Sequence, residues 1–139
     1  MNLKGEQGFT LIELMITVVV MVIAIGAVLQ ANTGMARTSE GMFQRSVAMQ
    51  DANQVIERMR NTAISGTFPA NVTAVYPNNG SVSGFSALTS EAVTVSYADR
   101  NGDGNALTEN PLDVTVTVSY LDNTQRNTSM SLRSLITQR

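Results

Sequence analysis

The chain has 139 residues, 43% of them apolar, and its nine Lys and Arg against eleven Asp and Glu give a formal net charge of −2. That length allows one modest domain beside any membrane segment, and the near-neutral balance removes the electrostatic case for a nucleic-acid partner. The lack of Cys excludes disulfides and thiolate chemistry, and the lack of His removes the commonest general base and metal ligand.

The most informative stretch comes first in the chain. From Phe9 to Leu29 there is one charge, Glu13, and the only other polar side chains are Thr10 and Thr17. As a helix these residues rise about 31 Å, enough to cross a hydrocarbon core of about 30 Å. The apolar run is longer than the core of a secretory signal peptide, and no Ala-x-Ala cleavage site follows it cleanly, so it reads as a retained span. A carboxylate at mid-bilayer costs about 2.5–3.5 kcal/mol, and an acid inside a span is a functional hypothesis by default. Glu13 lies near one end, which lowers the cost, but it still needs a partner.

Gly8-Phe9-Thr10-Leu11-Ile12-Glu13-Leu14 resembles the prepilin cleavage and methylation motif of type IV pilins and type II secretion pseudopilins. The resemblance implies that a prepilin peptidase removes the leader Met1 to Gly8, that the new N-terminal residue Phe9 is N-methylated, and that Glu13 is the acid needed for assembly. It also implies an inner-membrane location with the N-terminus cytoplasmic, and later a periplasmic or extracellular fibre built by an assembly platform in that membrane. The charges flanking the span, Lys4 and Glu6 before it and Arg37 and Arg45 after it, do not set this orientation by themselves. Many pilins close a C-terminal loop with a disulfide and carry a proline in the long helix; this chain has no Cys, and no Pro near Gln30.

Beyond Leu29 the polarity changes but helical spacing continues to about residue 64. Met35, Met42, Met49, Ile56 and Ala63 recur every seven residues, and Ala48, Ala52, Val55 and Met59 widen the stripe in its second half. Residues 48 to 63 are expected to pack on a domain. The thinner section from 30 to 45 holds Gly34 and Gly41, each weakening a helix by about 1 kcal/mol, and is expected to meet neighbouring subunits or to unwind in part. Gly66 is expected as a left-handed cap, with Pro69 following.

The remainder is rich in Val, Thr, Ser, Asn and Gly. Residues 71 to 76 read as a first strand or extended arm, and 77 to 84 as loop. Val93, Val95 and Tyr97 alternate in a strand from 92 to 98. Val114, Val116, Val118 and Tyr120 alternate in the next. After a turn at 122 to 125, a last strand from 126 to 133 faces Met130 and Leu132 inward. Three strands joined by turns imply an antiparallel meander apolar on one face, which the helix stripe would cover. The fold class is therefore α+β and pilin-like: a leader at 1–8, an N-terminal helix at 9–65 with a transmembrane first part at 9–29, and an antiparallel β domain at 66–139.

Between two strands lies Asp99-Arg100-Asn101-Gly102-Asp103-Gly104-Asn105. Oxygen ligands at alternate positions with Gly at the sixth resemble the start of a calcium loop. The acid expected at the twelfth position is missing: Asn110 stands there and Glu109 comes one place early. Asn-Gly and Asp-Gly are equally strong turn formers. Both readings stand, a plain turn or a calcium site of Asp99, Asn101, Asp103, the Asn105 carbonyl and Glu109. No catalytic constellation is present, because no His activates the serines and the one Lys, Lys4, lies in the leader. Glu91, Asp113 and Asp122 read as solvated surface, and Tyr76, Tyr97 and Tyr120 as sheet packing.

The expected function is that of a structural subunit, a minor pilin or pseudopilin, with no enzymatic activity. Its expected partners are other pilin or pseudopilin subunits, prepilin peptidase, the assembly platform and the membrane. The alternatives are a membrane-anchored periplasmic calcium-dependent binding module that never polymerises, and a DNA-uptake pilin, which the acidic balance disfavours.

Overall fold

The structure, a computed structural model, describes residues 9 to 138. In chain order its elements are α1 (Leu11–Ile64), α2 (Ala70–Val75), β1 (Gly80–Val82), β2 (Ala92–Ala98), β3 (Leu112–Leu121) and β4 (Asn127–Ile136). The chain divides into two compact units, one ending at Ser39 and one beginning at Glu40.

The first unit is helical from Leu11 onward, and α1 runs unbroken through Gly34 and Gly41. An 18-residue window of α1 near the N-terminus has a mean hydropathy of 2.7, and none of it is buried. Leu, Ile, Val and Met side chains face outward on every side, as in a helix whose solvent is lipid.

In the second unit four antiparallel strands lie in the order β1-β2-β3-β4. Register follows from the alternation of apolar residues. Val93 pairs with Val118, Val95 with Val116 and Tyr97 with Val114. Val116 pairs with Leu132 and Val118 with Met130. A slip by one residue would turn all of these to the other face, so the valine rows fix the pairing. They form one core with Ala48, Ala52, Val55, Ile56, Met59 and Ala63 of α1. Of the row repeating every seven residues, only Ile56 and Ala63 are buried; Met35, Met42 and Met49 are exposed. The buried stripe begins at Ala48 and runs through Ala52, Val55, Ile56, Met59 and Ala63, one face of the helix turned to the sheet.

Several expectations are corrected. Residues 71 to 76 do not form a strand. Most of them lie in α2, where the Pro69 carbonyl accepts the amides of Val72 and Thr73. Val72 and Tyr76 are both buried, and positions four apart share a face in a helix and in a strand alike. Their spacing therefore did not distinguish the two. Gly66 is not a left-handed cap; the glycines with positive φ are Gly84, Gly102 and Gly104. The end of α1 is instead closed by side chains, with the Thr62 carbonyl accepting from the Ser65 hydroxyl and the Asn71 amide. Gly66 makes room for that, since a Cβ there would stand 3.2 Å from the Asn71 Cβ. The stretch read as loop at 77 to 84 contains β1, entered by a tight turn in which the Gly80 amide donates to the Pro77 carbonyl. The sheet thus has four strands rather than three. The last strand runs on to Ile136, which pairs with Leu112 and is 1% exposed.

Candidate functional site

Two places carry the residues singled out from the sequence. The first is the start of α1. Gly8 and the leader lie outside the described residues. Phe9 is 78% exposed just before the helix. Thr10 caps the helix: the Glu13 amide donates to the Thr10 carbonyl at 3.1 Å and to its Oγ1 at 3.4 Å, and the Leu14 amide donates to the same carbonyl at 3.2 Å. Thr10-x-x-Glu13 has the spacing of a capping box, a local signal that reading Glu13 as an assembly acid alone passes over. In the first turn the helix dipole favours a carboxylate by about 0.3–1 kcal/mol. Among the described residues no ion pair reaches Glu13.

The second place is the connection between β2 and β3. It brings Asp99, Asn101, Asp103, Asn105 and Glu109 into one loop. The Asp99 carboxylate accepts the amides of Gly102 and Gly104, both at 2.7 Å. Asn101 Oδ1 accepts the Asp103 amide at 2.9 Å, and Asp103 Oδ1 accepts the Asn105 amide at 2.8 Å. Gly102 and Gly104 supply the positive φ these turns need. Glu109, 8% exposed, receives the amides of Arg100 at 2.7 Å and Asn101 at 3.1 Å on Oε1. Glu109 also lies against Asp99. The Gly102 and Gly104 amides are the main reason that the Asp99 carboxyl is held below its ordinary value. Among the described residues no three Asp or Glu side chains gather as metal ligands. The loop offers carboxylate, amide and carbonyl oxygens, the donor types a hard cation such as calcium takes.

Asp113 corrects the expectation of a solvated acid. It is 3% exposed, and Arg133 donates to both of its oxygens, at 2.7 and 2.6 Å. Arg100 stands 3.8 Å away. The Arg133 hydrogen bonds outweigh burial and hold the Asp113 carboxyl low. Asp113 and Arg133 are two positions out of register with one another on neighbouring strands, since Asp113 pairs with Leu135. Such diagonal partners show up only once the register is known. Glu91 and Asp122 are half-buried rather than solvated, and Asp122 holds the turn before β4 by accepting the Thr124 and Arg126 amides. Tyr76, Tyr97 and Tyr120 are buried in the core, Tyr97 donating to the Tyr76 carbonyl at 2.7 Å. Tyr76 follows α2 instead of ending a strand.

The family model described as the prokaryotic N-terminal methylation motif matches residues 3–29. That motif is typical of type IV pilins and pseudopilins, and its long apolar helix is consistent with a membrane-anchored protein. No curated protein and no solved structure matches the chain.

Proposed function

We propose that the chain is a non-enzymatic structural subunit, a minor pilin or pseudopilin, of a type IV pilus or a type II secretion pseudopilus. Prepilin peptidase cuts after Gly8, Phe9 is N-methylated, and the subunit waits in the inner membrane with its N-terminus cytoplasmic. The assembly platform then adds it to a periplasmic or extracellular fibre. The observation that carries this reading is the methylation motif at residues 3–29 running directly into an apolar, unburied helix. In cells with an active prepilin peptidase, the intact mass of the membrane-extracted protein is expected to show loss of Met1 to Gly8 and gain of one methyl group. Gly8→Val is expected to accumulate uncut protein. A leader still attached to the wild-type chain would overturn the reading.

Glu13 has a specific role in it. Cleavage creates an amine at Phe9, four residues away and about 6 Å along the helix. In a fibre of axially offset helices, the amine of an incoming subunit meets Glu13 of one already placed, so only cut subunits dock.

A second reading concerns calcium, and it is supported by the single loop that holds Asp99, Asn101, Asp103, Asn105 and Glu109, its turns tied by backbone amides donating to Asp99 and Glu109. A divalent cation would be held by Asp99, Asn101, Asp103, the Asn105 carbonyl and Glu109, oxygen donors of the kind calcium takes. The cation would supply a clamp in a domain without disulfides. The full chain in detergent is expected to melt higher in calcium than in chelator. The gain is RT ln(1 + [L]/Kd), about 2.7 kcal/mol at a hundredfold excess over Kd. Equal melting temperatures would leave a hydrogen-bonded turn, and would also remove the calcium-dependent binding module as an alternative.

A further inference from the structure

Residues 83 to 91 link β1 to β2 and lie against α1 and β3. They are held in four ways. Leu88 is 9% exposed in the core, and Phe85 packs on the core from its edge. Arg58 of α1 stacks on the Phe85 ring, 5.0 Å from its centre. The Thr89 carbonyl accepts the Leu121 amide at 2.9 Å. The fourth contact is unusual: the carboxyl groups of Asp51 on α1 and Glu91 meet. Glu91 Oε2 accepts the Leu88 amide at 3.1 Å. Its Oε1 and Asp51 Oδ2 are wholly shielded from water, and neither has a hydrogen-bond donor among the described residues.

Two ionised carboxylates are acceptors only and cannot bond to each other, whereas one shared proton turns the pair into donor and acceptor. We propose that Asp51 and Glu91 form an acid-closed latch, in which one proton between their carboxyl groups fastens residues 83 to 91 to α1 and its release loosens them. Among the described residues no ion pair reaches Asp51 or Glu91. On α1, Arg58 is turned to Phe85 and Glu57 pairs with Arg60. β3 carries the buried phenol of Tyr120, and Asp122 just after it is bound to its own turn and to Arg126. Glu91 is the one titratable side chain in residues 83 to 91.

Burial first, and then Glu91, raise Asp51 from 3.8 to about 6. A folded-state value above the unfolded one means that the proton-linked stability is complete below 3.8 and is lost as the pH rises through about 6. The window therefore falls between mildly acidic and neutral pH, with the closed state on the acid side.

Hydrogen exchange of the full chain in detergent, corrected for intrinsic rates, tests this. Protection of amides in residues 83 to 91 is expected to fall about tenfold from pH 5 to pH 7.5. Asp51→Asn places a permanent donor beside Glu91 and is expected to abolish the slope, keeping at pH 7.5 the protection that the wild type has at pH 5. Glu91→Gln supplies the donor from the other side and is expected to flatten the slope as well. Wild-type protection independent of pH, or a slope that survives in both variants, would overturn the latch.

Discussion

Glu13→Ala is expected to leave cleavage and the β-sheet unit unchanged and to remove the subunit from fibres. Among the described residues no ion pair reaches Glu13, and the helix dipole supports its carboxylate by about 0.3–1 kcal/mol. Thr10 still caps the helix through its own carbonyl and hydroxyl, because the donor there is the backbone amide at position 13, which alanine keeps. The variant should therefore fold and be processed normally. In the assembled state the loss is larger. Removing one partner of a pair in low dielectric costs about 3–5 kcal/mol, a factor of hundreds or more in incorporation. Quantifying the chain in sheared fibres checks this, with intact mass reporting on cleavage and circular dichroism on folding. Glu13→Asp keeps the charge on a shorter arm and is expected to retain part of the incorporation. Fibres containing wild-type amounts of Glu13→Ala would show that the carboxylate has no part in docking.

Met59→Ala is expected to cost about 2–5 kcal/mol of stability. Met59 is fully buried and is among the largest wholly enclosed side chains, in the core that joins α1 to the valine rows of β2 and β3. Its flexible chain fills the irregular space between a helix and a twisted sheet, and the strands cannot close over the cavity without breaking register. Met35→Ala is the control: that side chain is 71% exposed, and exposed substitutions usually stay within about 0.5 kcal/mol. Denaturant unfolding of the full chain in detergent measures both. Equal effects of the two would mean that the buried stripe of α1 does not stabilise the unit.

Periodicity made most of the fold legible. The apolar run to Leu29 and the alternating valines of β2 and β3 each match one template over many residues, and both stand in the structure. Short elements were ambiguous for physical reasons. Val72 and Tyr76, four apart and both buried, satisfy helical and extended periods equally. β1 has three residues, too few to show any period. The acids divide in the same way. Glu13 is marked by its lipid-soluble surroundings and Asp99 by its spacing. Asp113, Asp51 and Glu91 become notable only through partners far away in sequence, which no local pattern announces.

The strand order β1-β2-β3-β4 repeats the order of synthesis. Each strand can pair with its predecessor as soon as it emerges, so the sheet needs no distant segment to begin forming. The helix is in the opposite situation. The α1 stripe from Ala48 to Ala63 is complete before any of the sheet, and the Val116 row that lies with it in the core arrives much later. At about 5–20 residues per second, the nascent chain spends seconds with Val55, Ile56 and Met59 finished but bare. An apolar stripe left bare in this way is open to aggregation until the sheet covers it.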